Sequence, residues 1–571
     1  MHAALETLRP AHDEAAWDLF VFRKARESLC AEQLRRQLLT SLRSALSCND
    51  RNALLDCFVR AGELECALGD LGSPELARAA RAVDALAALT VQPGSSTPAG
   101  DILSAFSQLR LPPTVFLSHP EGFSYYGLHP LDFWDLARQI RLESPSAAII
   151  GIRSIGTTLS SIVGCALKGR GRQAERITVR PAGPPYERCL EFTPQQLQWV
   201  RAHLARGSEF VVVDEGPGFS GSSFIAVGRA LRRAGVPSAQ ILFMGSRNPE
   251  STEMHARFDP EWNTFRFCSV LQSTRLPVAA KIYCASGGWR QNRFLEQRNW
   301  PACWTQLERN KYFSADRSSL FKFEGFGRYG AAVRQRAEDL SRAGFAPPVL
   351  SYEGGFVEYE IVPGRAMCPR DGSPAVLQRL AEYCALRADT QTASAPAPVS
   401  LDSMLQHNLG VEFGVQDFQL DLPLEKLVIA DGRMIPHEWI ASGERLMKTD
   451  GASHGDDHLF PGATDIAWDL AGVIVEWNLA RGQQEFFLRE YQRRSGDNPA
   501  RRLPAYLLAY SVFRMAFCRM GAAAMAAWDE AHRLWREYCR HRNRAASMLD
   551  QREKRTRSAV LPPPMPAEQA A

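Results

Sequence analysis

Thirteen cysteines are scattered along the 571 residues, and no two of them stand in a C-x-x-C pair. That spacing excludes a zinc ribbon and a thioredoxin-like redox site, and it suggests no secreted disulfide framework. No uncharged apolar stretch approaches about 18 residues, so no membrane-spanning helix and no membrane partner are expected. The first twenty residues carry acids and no long apolar run. A secretory signal is therefore not expected, and a reducing cytoplasm is the expected location. Charge of one sign is also scarce, with 67 basic and 63 acidic side chains leaving +4. So small a surplus gives no support to general nucleic-acid binding, and the expected partners are small molecules. No internal repeat and no Ser–His–Asp arrangement stand out. What remains is ordinary globular composition, 45% apolar and 23% charged, with a length prior of three to four domains at roughly 150 residues each.

The patterning divides the chain. Residues 12–95 show apolar positions at spacings of three and four, so 1–95 reads as a small helical domain. VQPGSSTPAG (91–100) reads as a linker. From 110 to 290, β-rich runs (TVFLS, AAIIGI, RITVRP, EFVVVD, QILFMGS) alternate with helical ones. That alternation predicts parallel βαβ units, with ligands at the carboxyl ends of the strands. From 311 to 548, short strands (SLFKFEG, PVLSYEGG, FVEYEIVPG) lead into a largely helical part. TASAPAPVS (392–400) reads as a flexible insertion, and 549–571 as a disordered tail.

The strongest local signal is FVVVDEGPGFSGSSF (210–224). An apolar strand ends in Asp214 and Glu215, and a glycine- and serine-rich turn then opens a helix. Gly216, Gly218 and Gly221 permit positive-φ backbone. Ser220, Ser222 and Ser223, with the helix-start amides, make an anion cradle. Two acids beside such a cradle suit a ligand with both hydroxyls and phosphate. The arrangement resembles the phosphoribosyl-pyrophosphate (PRPP) loop of type I phosphoribosyltransferases, although Asp214 to Gly221 is one residue longer than usual there. A second strand–turn–helix, AAIIGIRSIGTTLS (147–160), matches that family's pyrophosphate loop at Arg153, Ser154 and Gly156. The resemblance implies catalytic roles for Asp214, Glu215 and Arg153, magnesium as cofactor, and PRPP as substrate. It also implies a hood loop, for which Lys168, Arg170, Arg172, Arg176 and Arg180 supply cations. The aromatic segment 119–134 either stacks a substrate ring or packs in the core, and 246–250 follows a strand near the site.

In the last third, Lys322 sits in a short strand before a helix carrying Glu338. MIPHEWIASGERLMKTDG (434–451) ends in Thr–Asp–Gly, and PGATDIAWDLAG (461–472) follows. These segments resemble aminoglycoside phosphotransferases and choline kinases. The resemblance implies ATP, with Lys322 on the nucleotide phosphates and Glu338 holding it. It implies metal binding at Asp450 and Glu438, and a brace for the catalytic loop at Asp469. Aligning Pro436 with the family's loop proline puts Arg433 where the catalytic aspartate belongs, with Asp431 two residues earlier. His454, Asp456, Asp457 and His458 form a possible second site for metal or substrate, or else a solvated polar loop. The expected fold class is α/β: a parallel-sheet phosphoribosyltransferase-like domain, then an α+β two-lobed kinase-like domain, behind an all-α N-terminal domain. The expected function is bifunctional, with PRPP-dependent phosphoribosyl transfer to or from a nucleobase-like molecule beside a kinase-like unit. The alternative is a non-catalytic PRPP or nucleotide sensor. The oligomeric state is left open.

Overall fold

In the computed structural model the described residues are 13–21, 26–91, 98–184, 186–218, 220–247, 259–270, 275–396, 400–416, 418–457, 459–525 and 527–560. Strands β1 (Arg26–Cys30) and β2 (Thr114–Ser118) form an antiparallel pair. TVFLS is thus not the first strand of the parallel sheet, and 26–30, which read as helical, is its partner. A five-residue segment of such mixed composition takes its state from the strand beside it.

Strands β3 (Ser146–Ile152), β4 (Gln173–Val179), β5 (Glu209–Val213), β6 (Ile241–Gly245) and β7 (Arg266–Ser269) form one sheet in the order β4-β3-β5-β6-β7. Every neighbouring pair in it is parallel. All residues of β3, β5 and β6 are buried, as expected of strands covered on both faces. Alternate side chains feed two cores. Ala147, Ile149, Val211, Val213, Leu242 and Met244 face one, and Ala148, Ile150, Phe210, Val212, Ile241 and Phe243 face the other.

The first core contains the N-terminal helices. Phe58, Leu64, Val83 and Leu86 of helices Arg51–Asp70 and Leu76–Val91 pack with β3 and with helix Ile155–Gly169. A Cβ on Gly62 would lie 1.9 Å from Thr158 Oγ1, so these helices meet at glycine distance. Arg176 of β4 makes a bidentate pair with Glu65 at 2.6 and 2.8 Å and donates to Asp84 at 2.6 Å. Within the expected 1–95 domain, helices Arg51–Asp70 and Leu76–Val91 are therefore a wall of the α/β unit and not part of a free helical domain. Of the expected 91–100 linker, residues 92–97 lie outside the described residues.

The next sheet is antiparallel, in the order β11-β12-β10-β9-β8. Its strands are β8 (Ile282–Tyr283), β9 (Lys311–Phe313), β10 (Ser319–Phe323), β11 (Val349–Glu353) and β12 (Phe356–Glu360). Residues 282–283 thus belong to this sheet, ahead of the expected boundary at 290. Five short strands follow: β13 (Arg365–Ala366), β14 (Leu427–Ile429), β15 (Trp439–Ser442), β16 (Arg445–Lys448) and β17 (Ala463–Asp465). They pair as β13-β15-β16 and β14-β17. Helices 374–390, 401–413, 467–476, 481–495, 503–524 and 528–560 complete this half.

One core joins Val357 and Tyr359 of the antiparallel sheet to Trp468, Tyr510 and Phe513 of the helices, so the expected two lobes share an interior. Trp17, Leu19 and Val21, from the start of the chain, also pack there. Phe20 exchanges two 2.8 Å hydrogen bonds with Asn408. The last helix runs Trp528–Val560, so the expected disordered tail is helical through 560. Its basic, polar sequence reads as disordered on composition alone, but it continues a helix already anchored in the core. No helix among the described residues is long and apolar enough to cross a membrane.

Candidate functional site

Strands β3 and β5 are neighbours, with Gly151 opposite Val213, so the loops leaving them stand side by side at the carboxyl edge of the sheet. A Cβ on Gly156 would lie 2.4 Å from the Val213 carbonyl oxygen and 3.4 Å from Asp214 Oδ1. Only glycine lets the helix begin that close to the acid. Ser154, before the helix, takes φ 116° and ψ −109°, a costly conformation for a side-chain-bearing residue and one that clusters at functional sites.

Part of Asp214 reaches solvent, yet burial pushes its carboxyl up to about 7. The amides of Glu215 and Gly156 and the charge of Arg180 pull it back only partly. Glu215 accepts from the Gly122 amide at 3.1 Å. The turn is tight: the Gly221 amide donates to Pro217 O at 2.7 Å, and Gly218 and Gly221 have φ of 60° and 68°. A Cβ on Gly216 would lie 3.0 Å from Ser246 Oγ. Ser220 is buried and accepts from the Ser222 amide at 3.2 Å. Ser222 and Ser223 open helix Ser222–Arg233. Arg247 Nη2 donates to Gly218 O at 3.1 Å, while 248–250 lie outside the described residues.

Arg153 does not face this turn. Its guanidinium donates to Thr178 Oγ1 and O at 3.2 and 3.3 Å and lies 3.5 Å from Asp70. Arg170, Arg172 and Arg176 of the expected hood are also engaged elsewhere. Arg170 binds the carbonyls of Ala137 and Ile140, Arg172 those of Leu142 and Ser144, and Arg176 the acids Glu65 and Asp84. Arg176 read as part of a mobile loop because the acids that hold it, Glu65 and Asp84, stand about a hundred residues away. Arg180 is the cation that reaches the site. It pairs with Asp70 at 2.6 Å, donates to Arg153 O at 2.7 Å, and acts on Asp214.

The second set converges 100 residues further on. Lys322 Nζ, on β10, donates to Asp450 Oδ1 at 2.6 Å and Ser453 Oγ at 2.8 Å, and stands 3.1 Å from Glu324. Glu338 is not its partner: it pairs with Arg334, one turn earlier on the outer face. Arg336 and Ala337 face inward on that helix, with Arg336 donating to Ala452 O at 2.9 Å. Glu338 is two residues, about 200°, from Arg336.

Asp469, fully buried, accepts from the amides of Asp431 and Gly432 at 2.8 and 3.0 Å. Tyr383 donates to Asp431 at 2.6 Å. Arg433 donates to Glu438 Oε1 at 2.6 Å and lies 3.2 Å from His454 Nε2. Lys448 donates to Glu438 Oε2 at 2.7 Å and to Asp450 O at 2.9 Å. His454 Nε2 lies 3.3 Å from Asp450 Oδ2. Burial alone would raise these acids. Arg433 and Lys448 outweigh it at Glu438, and Lys322 and His454 at Asp450, so both carboxyls are held below their ordinary range. Asp457 lies 3.8 Å from Arg309. The side chain of Asp456 and all of His458 lie outside the described residues.

Among the described residues, two groups bring acid and histidine ligand atoms within 4.8 Å of one another: Asp431, Glu438 and His454, and Glu476, Glu537 and His541. Magnesium does not fit either as built. Lys448 sits in the first, 3.3 Å from Asp431 and 2.7 Å from Glu438. Arg514 and Arg540 take both oxygens of Glu476 in the second, at 2.8 and 2.6 Å. The expected metal ligands Glu438 and Asp450 are thus ion-paired residues.

The aromatic segment lies between the two sites. Phe123 and Tyr125 are buried, and His119 stacks on Tyr125 at 5.0 Å. Arg309 lies over the Tyr125 ring at 5.0 Å and pairs with Glu324 at 3.0 Å. Asn310 donates to Tyr126 O at 3.2 Å. The packing alternative therefore describes this segment, which carries the Gly122 amide to Glu215. Sequence reasoning missed Arg309, Glu324, Lys448 and Ser453. The signal for two of them was present: Glu324 is two residues from Lys322, and Lys448 two before Asp450, the spacing that shares one face of a strand.

No family model matches the chain, and no curated protein does. Solved structures do. A choline/ethanolamine kinase family protein from Mesorhizobium loti is 18% identical, covers 42% of this chain and 89% of its own, and gives a TM-score of 0.29. Choline kinase from Streptococcus pneumoniae is 13% identical over 43% of this chain and 90% of its own, with a TM-score of 0.31. A macrolide 2'-phosphotransferase from Brachybacterium faecium is 16% identical over 40% of this chain and 87% of its own, at 0.28. Those comparisons lend no support to a phosphoribosyltransferase relationship.

Proposed function

We propose that the protein is a bifunctional small-molecule transferase whose sheet-edge site takes magnesium PRPP and whose kinase-like half takes a nucleotide. One observation carries the first part: the Arg153–Gly156 and Asp214–Ser223 loops leave adjacent parallel strands and touch at Gly156 and Asp214. In this reading, the amides and hydroxyls of 220–223 receive the 5-phosphate at the helix start. Asp214 and Glu215 accept from the ribose hydroxyls. Bond breaking at the anomeric carbon expels pyrophosphate and leaves a cationic sugar, which a ring nitrogen of a nucleobase-like acceptor traps as its N–H proton passes to the departing pyrophosphate. The protein's work is orientation and exclusion of water. Asp214, raised toward neutrality by burial, gains charge stabilisation when sugar hydroxyls donate to it.

The kinase-like half supports two readings. Lys322 meeting Asp450 favours a nucleotide site. Arg433 and Lys448 clamped on Glu438 favour binding without phosphoryl transfer.

Calorimetric titration of magnesium PRPP, with ribose 5-phosphate as control, tests the central assignment. The expected result is binding much tighter than the control, weakened at least tenfold by Asp214→Asn. Folded protein that binds neither compound defeats it.

A further inference from the structure

Charge at the kinase-like centre is balanced before any ligand arrives. Lys448, at the end of β16, is 1% exposed. Its ammonium contacts Glu438 Oε2 at 2.7 Å, Asp450 O at 2.9 Å and Asp431 Oδ1 at 3.3 Å. An ammonium has three donors, and three acceptors surround it. Arg433 holds the other oxygen of Glu438, and Lys322 and His454 hold the two oxygens of Asp450. Magnesium demands near-octahedral oxygen ligands at about 2.1 Å. To reach Asp431 and Glu438 it would have to expel Lys448 and leave a buried ammonium without its carboxylates, which is strongly unfavourable.

We infer that Lys448 fills the place of a divalent cation between Asp431 and Glu438, so that a nucleotide-class ligand is taken at this centre, beside Lys322, with no metal ion. The ligand class rests on the proposed reading of Lys322. The exclusion of the metal rests on the contacts of Lys448 alone.

Two measurements on the full chain separate these. Manganese(II) is titrated by paramagnetic resonance into wild type, Glu438→Gln and Lys448→Met. Wild type and Glu438→Gln should bind the same number of ions, and Lys448→Met should bind one more. An ion held by wild type and lost in Glu438→Gln overturns the inference, as does a folded Lys448→Met that gains none. The wild-type comparison stands even if Lys448→Met does not fold. ADP is then titrated by calorimetry in EDTA and in excess magnesium, with affinities expected within threefold of each other. A tenfold loss in EDTA overturns the inference. No ADP binding in either buffer defeats the nucleotide reading, and the manganese comparison then decides the role of Lys448.

Discussion

The two candidate sites treat their acids in opposite ways. At the sheet edge Asp214 is raised to about 7 by burial, with amides and the distant help of Arg180 as its compensation. At the centre around Lys448, Glu438 is clasped by Arg433 and Lys448 and Asp450 by Lys322 and His454, and both acids are held low. The first site carries an unmet electrostatic demand that a donor-rich ligand would satisfy. The second has met its demand internally. A raised pKa alone does not mark a functional acid, since burial also lifts the brace Asp469 to about 6.

The largest effect should come from breaking the internally satisfied region. Asp469→Ala removes the acceptor for two buried amides and leaves Arg387, 3.6 Å away, short of a counter-charge. Urea unfolding should show a loss of about 3–5 kcal/mol. A loss below about 1 kcal/mol would mean that the Asp431 loop does not depend on this brace.

Asp214→Asn should act with the opposite sign on stability. The folded carboxyl is raised above its unfolded value of 3.8, so the unfolded chain ionises first. The penalty of holding the charge in the fold grows as pH rises from about 4 to 7 and is complete above that. The asparagine variant should therefore match wild type near pH 4 and exceed it at pH 8, by at most about 4 kcal/mol. Ligand binding should go the other way. Sugar hydroxyls favour the charged form, so PRPP affinity should rise with pH up to about 7 and then level off. Asp214→Asn should flatten that profile. Equal stability of variant and wild type at pH 8 would remove the burial argument.

Gly156→Ala should follow in size, because its Cβ meets backbone, the Val213 carbonyl, and no flexible side chain can retreat. A cost of about 1–3 kcal/mol is expected, with weaker PRPP binding measured in the same preparation. Undisturbed binding would show that the contact between the loops does not shape the site.

Legibility in the sequence followed the same division. The β3, β5 and β6 strands were visible because complete burial makes them continuous apolar runs, and the glycine turn after Val213 was visible because its chemistry is contiguous. What escaped was everything assembled from afar. Arg176 and Arg180 were read as a hood because Glu65, Asp70 and Asp84 stand about a hundred residues upstream. The helices of 1–95 were read as a separate domain because nothing local says that Phe58 shares a core with Ile149. Lys448 was passed over because a lysine ending a hairpin strand is ordinarily solvated. Only the convergence of Asp431, Glu438 and Asp450 makes it a buried counter-ion.

The smallest expected effect tests the kinase resemblance at its least supported residue. Glu338 pairs with Arg334 in an (i, i+4) arrangement on a surface where their side chains are 30% and 45% exposed, respectively. Such pairs contribute about 0.3–0.5 kcal/mol. Glu338→Ala should change stability by no more than that and leave ADP affinity unaltered. Glu324→Ala is the contrasting variant, since Glu324 is buried and contacts both Lys322 and Arg309. Its loss frees Lys322 from one carboxylate and leaves Arg309 with Asp457 at 3.8 Å. ADP affinity should then change severalfold while Glu338→Ala stays at wild-type values. If the ranking is reversed, the helix Gly327–Arg342 must turn by about half a revolution on binding, bringing Glu338 to Lys322. The ion-paired centre described above would then be a resting arrangement that the nucleotide itself rearranges.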